Sequence, residues 1–257
     1  MPGAPTVGVL VLIIFPSSSG SVDPAGAGPA GPAAVVRWLG HACFLIDWSD
    51  GAGGRLRVIT DPYPADMGLP PIRETVDVVT VSHEHFDHNA AGELAGKPRV
   101  IRGQAGKEAV AVDETVGGVR IVSIPTWHDP NGGKQRGPSA MFAFELGGMR
   151  LVHAGDLGEE LDRTQLRLLG RPDAFFVPVG GHFTIDAAQA RALVEAVRPR
   201  VVIPMHYKTS SLPDWPIADP DKFLDGWERV RHPEGGAFRL VPGRLPEPIE
   251  VWSFGKR

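Results

Sequence analysis

The sequence predicts a mixed α/β (α+β) fold: two β-sheets packed face to face, with helices outside, in one domain. Three observations predict it. Short apolar runs rich in Val and Ile, bounded by Gly, Pro or Asp, fill the first two-thirds of the chain. Helical periodicity is confined to three later segments. The chain has 257 residues, 42% of them hydrophobic and 22% charged, which is enough to bury a core of this size.

The elements follow in order. Residues 1–34 stand apart as a signal-like or disordered N-terminal segment. VGVLVLIIF (7–15) is apolar but too short to span a bilayer, and Ala25-Gly26-Ala27 fits the small-x-small pattern of an export cleavage site. The first basic residue is Arg37, so a disordered tail or an upstream mis-start also fits. Export is the favoured expectation, with a cytoplasmic location as the alternative.

The second unit, residues 35–257, is the folded domain. VVRWLGHACFLID (35–47) reads as a strand, SDGAGG as a turn, and RLRVITDP as its hairpin partner. DVVTVSH (77–83) is a third strand, followed by RVIRG and GVRIVSIP. FAFELGGMRLVHAGD (142–156) is a hairpin turning at Gly147-Gly148. AFFVPVGG and VVIPMHY have the look of buried strands. Helices are expected over 161–170, ending at Gly170, over 186–199 with Asp186 as N-cap, and over 221–232. The polar, Gly-rich loop 129–139 is a candidate lid.

The chemistry lies in VSHEHFDHNA (81–90). His83, His85 and His88 crowd around Asp87, although the whole chain has only 9 histidines. In an extended segment His83, His85 and Asp87 share a side, with Phe86 free to anchor the turn in the core. Packing gives no reason to gather three imidazoles, which repel one another when protonated. Further candidates sit in or near the ends of other predicted strands: His41, Asp61, His128, His153, Asp156, His182 and His206. Only His232 falls outside this pattern. Imidazole and carboxylate suit a divalent metal, Zn²⁺ first, with Mn²⁺ or Fe²⁺ also accepted. Six or seven such ligands exceed the needs of one tetrahedral ion, so two ions are the natural count. A purely structural zinc would favour cysteines, and the chain has one, Cys43, inside the apolar run ACFLI.

The string His83-x-His85-x-Asp87-His88, followed in order by His128, Asp156 and His206, resembles the signature of the metallo-β-lactamase superfamily. The phrases WLGHACFLI, TDP, TWHD, HAGD, GGHFTID and IPMHYKT are similar to its metal-dependent hydrolase branch, akin to ascorbate-6-phosphate lactonase. The resemblance implies a four-layer αββα sandwich with the site at one edge. It implies that His83, His85 and His128 hold one metal and Asp87, His88 and His206 a second, with Asp156 between them. It implies a hydrolase whose metal-activated hydroxide attacks a small ester, lactone or phosphoester. Asp87, itself a ligand, His153 and His182 are the catalytic candidates, and Tyr207, Lys208, His41 and Asp61 are candidate supports. Two alternatives stay open: a phosphodiesterase or phospholipase-type enzyme at a membrane surface, and a non-catalytic metal-binding or sensing module.

The partner expected is a small molecule. Net charge is −4 and no basic block stands out, which argues against nucleic acid. His85 stands where the iron-dependent flavoprotein branch carries a carboxylate. About fifty residues follow His206, little room for the helical domain of glyoxalase-type thioester hydrolases.

Overall fold

The computed structural model describes residues 31–255. Most of the expected N-terminal segment therefore lies outside the described residues, although the first strand already takes in Ala33 and Ala34. No helix among the described residues is long and apolar enough to cross a membrane.

The first sheet begins with β1 (Ala33–Gly40), β2 (Cys43–Ser49), β3 (Arg55–Thr60), β4 (Val78–Val81) and β5 (Arg99–Arg102). A small hairpin, β6 (Gln104–Ala105) and β7 (Glu108–Ala109), leads out of it. The second sheet takes β8 (Asp113–Val116), β9 (Val119–Trp127), β10 (Pro138–Leu146), β11 (Met149–His153), β12 (Ala174–Pro178), β13 (Val201–Met205) and β14 (Val230–Arg231). The chain then returns as β15 (Ala237–Leu240) to the first sheet and ends as β16 (Glu250–Trp252) in the second. The strand orders are β15-β1-β2-β3-β4-β5 and β14-β16-β13-β12-β11-β10-β9-β8.

Alternation along the strands explains why two sheets stack. In β2, Phe44, Ile46 and Trp48 face the core shared with Ile121, Phe142 and Phe144 of the second sheet. Cys43 and Leu45 face the other way, into a smaller core with Ile59, Val79 and Val81. Each face of the first sheet is thus apolar, and each is covered. The outer cover is the loop carrying Tyr63, Leu69 and Val76, with a 3₁₀ turn over Ala90–Glu93, rather than a long helix. Over the second sheet lie α1 (Arg163–Leu169) and α2 (Ala187–Val197), the latter burying Ala190, Val194 and Val197. Asp162 and Asp186 cap these helices in full capping boxes.

Three expectations need correction. The run 35–47 is two strands, because Gly40 (φ 135°) and His41 (φ 53°) reverse the chain and start β2 at Cys43. The segment 221–232 is one short helix, α3 (Asp221–Leu224), followed by β14. Asp225 is extended and Gly226 has φ 73°, so the helix stops there. Phe86 is not buried: it is 64% exposed. The hairpin at Gly147-Gly148 is as expected, with φ 55° and 80° in the left-handed region that a two-residue turn requires.

The strand directions place the chemistry. β3 to β4 and β4 to β5 run parallel, as do β11 to β12 and β12 to β13. β9 is antiparallel to β10, and β10 to β11, so β9 points the same way as β11. The segments leaving the C-terminal ends of β3, β4, β9, β11, β12 and β13 therefore emerge at one edge of their sheet. Within their first few residues those segments carry Asp61, His83, His128, Ala154-Gly155-Asp156, Gly180-Gly181-His182 and His206.

Candidate metal centre

Four of the five non-glycine residues with positive φ among the described residues lie at this edge: His41, Asp61, His182 and His206, at φ 53°, 39°, 60° and 51°. L residues adopt this conformation at a cost, and such strain gathers where function fixes a side chain. The strand-end backbone is bent to aim side chains rather than to continue the sheet.

The 83–88 cluster is a loop, not an extended strand. β4 ends at Val81, and the amide of His88 donates to the carbonyl of His85 at 3.0 Å. This turn folds His88 back beside His83, with ring centroids 4.4 Å apart. Asp61 locks the result. Its Oδ1 accepts the Ser82 amide at 2.7 Å, and its Oδ2 accepts the Ser82 hydroxyl at 2.6 Å and His88 Nδ1–H at 3.1 Å. The Ser82 oxygen in turn accepts His83 Nδ1–H at 2.9 Å. Nδ1 of both histidines is thereby engaged, which leaves each Nε2 facing the centre.

The centre itself is Asp156. Its Oδ2 lies 3.1 Å from His128 Nε2, 3.2 Å from His206 Nε2, 3.3 Å from His88 Nε2 and 3.9 Å from His83 Nε2. Around it, His83 Nε2, His88 Nε2, His206 Nε2 and Asp156 Oδ1 are buried without a hydrogen-bond partner. Buried polar atoms normally find partners. Four convergent, unpartnered polar atoms fit a cation, and no Lys or Arg side chain is paired with them among the described residues. The donor atoms of His83, His85 and His128 lie within 4.8 Å of one another, as do those of His41, Asp87, His88 and His206.

Electrostatics agree. Burial drives His83 well below the usual imidazole range, with His88 adding to it, and burial also lowers His85. Neutral imidazole is the metal-binding form. Burial alone would raise Asp156, but the surrounding imidazoles, His206 first, hold it well below the usual carboxylate range. Burial opposes protonation of His88 too, yet Asp156 and Asp87 outweigh it and raise that group. A divalent cation between them would relieve that pull.

The remaining candidates separate by position. His41 Nε2–H donates to Asp87 Oδ2 at 3.1 Å, and burial brings His41 to about 4, so it is a neutral donor that orients Asp87. His153 Nε2–H donates to the Ala42 carbonyl at 2.8 Å, while its Nδ1 accepts the Gly155 amide at 3.2 Å. Both ring nitrogens are thus occupied in holding the turn before Asp156. The Tyr207 hydroxyl donates to the Gly255 carbonyl at 2.9 Å. His232 Nδ1–H donates to the Ser253 carbonyl at 2.9 Å. His182 is exposed, and neither it nor Lys208 lines the cavity above the cluster.

That cavity, of about 560 Å³, is bounded by His85, Asp87, His128, Asp156 and His206. Its outer wall holds Arg136, Phe183 and Trp215, which sequence reasoning missed. Arg136 belongs to the Gly-rich candidate lid, 129–139, but no local pattern marks any of the three side chains. The candidate lid is braced rather than free: the buried Asp129 accepts the amides of Asn131 at 2.9 Å, Gln135 at 2.9 Å and Arg136 at 2.8 Å.

Residues 35–206 match the family described as Beta-lactamase superfamily domain. A UPF0173 metal-dependent hydrolase of Pyrococcus abyssi is 34% identical over 212 residues, 73% of this chain and 89% of that one. One from Thermococcus onnurineus is 34% identical over 236 residues, 82% of this chain and 98% of that one. A crystal structure of a metallo-beta-lactamase superfamily protein from Thermotoga maritima superposes with a TM-score of 0.68 at 32% identity, covering 86% of this chain and 97% of that one. Fold, ordered residues and relatives agree: the chain belongs to the metallo-β-lactamase superfamily, among its metal-dependent hydrolases.

Proposed function

We propose that the protein hydrolyses a small ester, lactone or phosphoester at a dinuclear centre. The observation that carries this is the set of buried, unpartnered Nε2 atoms of His83, His88 and His206 converging on Asp156. His83, His85 and His128 would hold one ion, and Asp87, His88 and His206 the other, with Asp156, whose Oδ2 lies near His88, His128 and His206, available to both. An all-histidine and carboxylate set suits Zn²⁺, and the Thermotoga maritima relative is described as Zn-dependent. Bound ions of this kind lower the pKa of water from 15.7 to roughly 7 and polarise the oxygen of an electrophile.

The chain's own residues then divide the work. Asp61 and Ser82 fix the tautomers of His83 and His88. His153 holds the Gly155 amide, so that Asp156 enters the centre in one orientation. Asp87 lines the cavity with Oδ2 tied to His41, which leaves Oδ1 to accept and orient an O–H at the reacting position. Burial would raise Asp87, but His88 and His41 keep it ionised, so it serves as an acceptor. We assign His153 and His182 to support rather than proton transfer. The His182 carbonyl accepts from Arg136 at 3.0 Å, and its ring packs on Phe183 at 4.5 Å.

The test is metal analysis with turnover. Purified protein is expected to hold about two divalent ions and to hydrolyse a chromogenic ester or phosphodiester. His85→Ala should lose most of one ion and at least about 100-fold in kcat/KM. Turnover that survives both this substitution and chelation would end the proposal.

A further inference from the structure

The cavity over the metal centre has a second face that the hydrolytic reading leaves unused. Phe86, Phe183 and Trp215 line it. They arise from three loops, those following β4, β12 and β13. The Trp215 ring lies 6.5 Å from Phe86 and 6.3 Å from Phe183, centroid to centroid. Phe86 is the most exposed large hydrophobic side chain among the described residues. An aromatic ring left in water forgoes the stabilisation that burial would give it. With the half-buried Phe183 and Trp215 beside it, Phe86 makes an aromatic wall at one mouth, a binding surface in want of an apolar partner.

The wall is also held in place. Trp215 stands edge-on to the His41 ring at 5.1 Å and packs against the smaller core. Arg136 lies over Phe183 at 5.7 Å, and that guanidinium is itself tied to the His182 carbonyl. The same cavity is floored by Asp156 and His206, and its volume of about 560 Å³ is that of a small-molecule site. A ligand reacting at the centre therefore lays its substituent against the three rings.

We infer that the substrate carries a flat aromatic group close to the scissile bond, and that Phe86, Phe183 and Trp215 select it by stacking and apolar contact. This rests on the hydrolytic reading above. The occupant is part of a small molecule: the wall is continuous with the reacting centre, and the cavity holds little more than one such ligand.

The experiment compares two inert anions with the same head, phenylphosphonate and methylphosphonate, binding to the Zn-loaded full chain by calorimetry. Phenylphosphonate should bind at least about tenfold tighter. Trp215→Ala and Phe183→Ala should each bring that ratio below about threefold. Trp215→Phe, which keeps an aromatic face, should restore it. Equal affinities in the parent protein, or a ratio that Trp215→Ala and Phe183→Ala leave intact, would overturn the inference. So would a ratio near one combined with sedimentation on phosphatidylcholine vesicles that Phe86→Ser abolishes, since the rings would then serve a lipid surface. The two readings fail separately. A phenyl preference without turnover on any ester removes the hydrolytic reading and keeps the aromatic site. Turnover without a phenyl preference removes only the aromatic site.

Discussion

Asp61 shows how much one side chain outside the ligand set can decide. Both its oxygens are used, and through Ser82 and His88 they fix two imidazoles at once. Asp61→Asn keeps the shape but loses the charge that holds His88 Nδ1–H and one acceptor. Metal affinity should fall about 10–100-fold with the far-ultraviolet circular dichroism unchanged. A competition titration against a chromophoric chelator measures this, and an unchanged affinity would remove Asp61 from the support of the centre. Cys43 makes a different residue-scale case. Burial pushes its thiol well above the usual range, with Asp61 and Glu74 adding to the shift. The folded chain keeps the proton where the unfolded chain releases it. Its contribution to stability is therefore complete below about pH 9, where the unfolded thiol ionises, and declines as pH rises beyond it. Relative to Cys43→Ala, the parent protein should lose melting temperature between pH 8 and pH 10. The thiol should react with a disulfide reagent only after denaturation.

At the scale of elements, the turn after β11 couples backbone to chemistry. Gly155 has φ 55°, and a Cβ there would meet Ser82 Cβ at 2.7 Å and the Ala140 carbonyl at 2.8 Å. Glycine is needed for both conformation and space. Gly155→Ala should cost at least about 1–3 kcal/mol of stability and displace Asp156. Thermal unfolding and metal content would register the two effects together. Full stability with full metal occupancy would show that this close approach is not required. The neighbouring loop 129–137 works by a different device: Asp129 draws three amides onto one carboxylate and so sets where Arg136 stands.

Across the whole molecule, the two halves of the chain meet at the site. His83, His85 and His88 leave the first sheet, while His128, Asp156 and His206 leave the second. A cation bound between them would tie one sheet to the other and would have no equivalent site in the unfolded chain. Removal of metal should therefore lower stability globally. An ion present at 100 times its dissociation constant contributes about 2.7 kcal/mol. Chelation should lower the melting temperature by several degrees, reversibly on adding Zn²⁺, and sharpen no second transition. An unchanged melting temperature would place the ion outside the folded framework.

The sequence by itself determined most of the buried strands, the Asp186 N-cap, the Gly147-Gly148 turn and the identity of the residues that gather. These are local matters: alternation, capping and turn chemistry act over a few residues, and a crowd of histidines is visible wherever it sits. Only the tertiary structure decided how the gathered residues differ. His83 and His153 are both buried histidines at strand ends, yet one turns a bare nitrogen to the centre and the other spends both on backbone groups. The exposure of Phe86 and its approach to Trp215, far along the chain, were equally hidden. Which nitrogen faces a cavity, and which ring stands at its mouth, depends in part on partners far along the chain, Asp61 for His88, Ala42 for His153 and Trp215 for Phe86, and no window of neighbouring residues contains them.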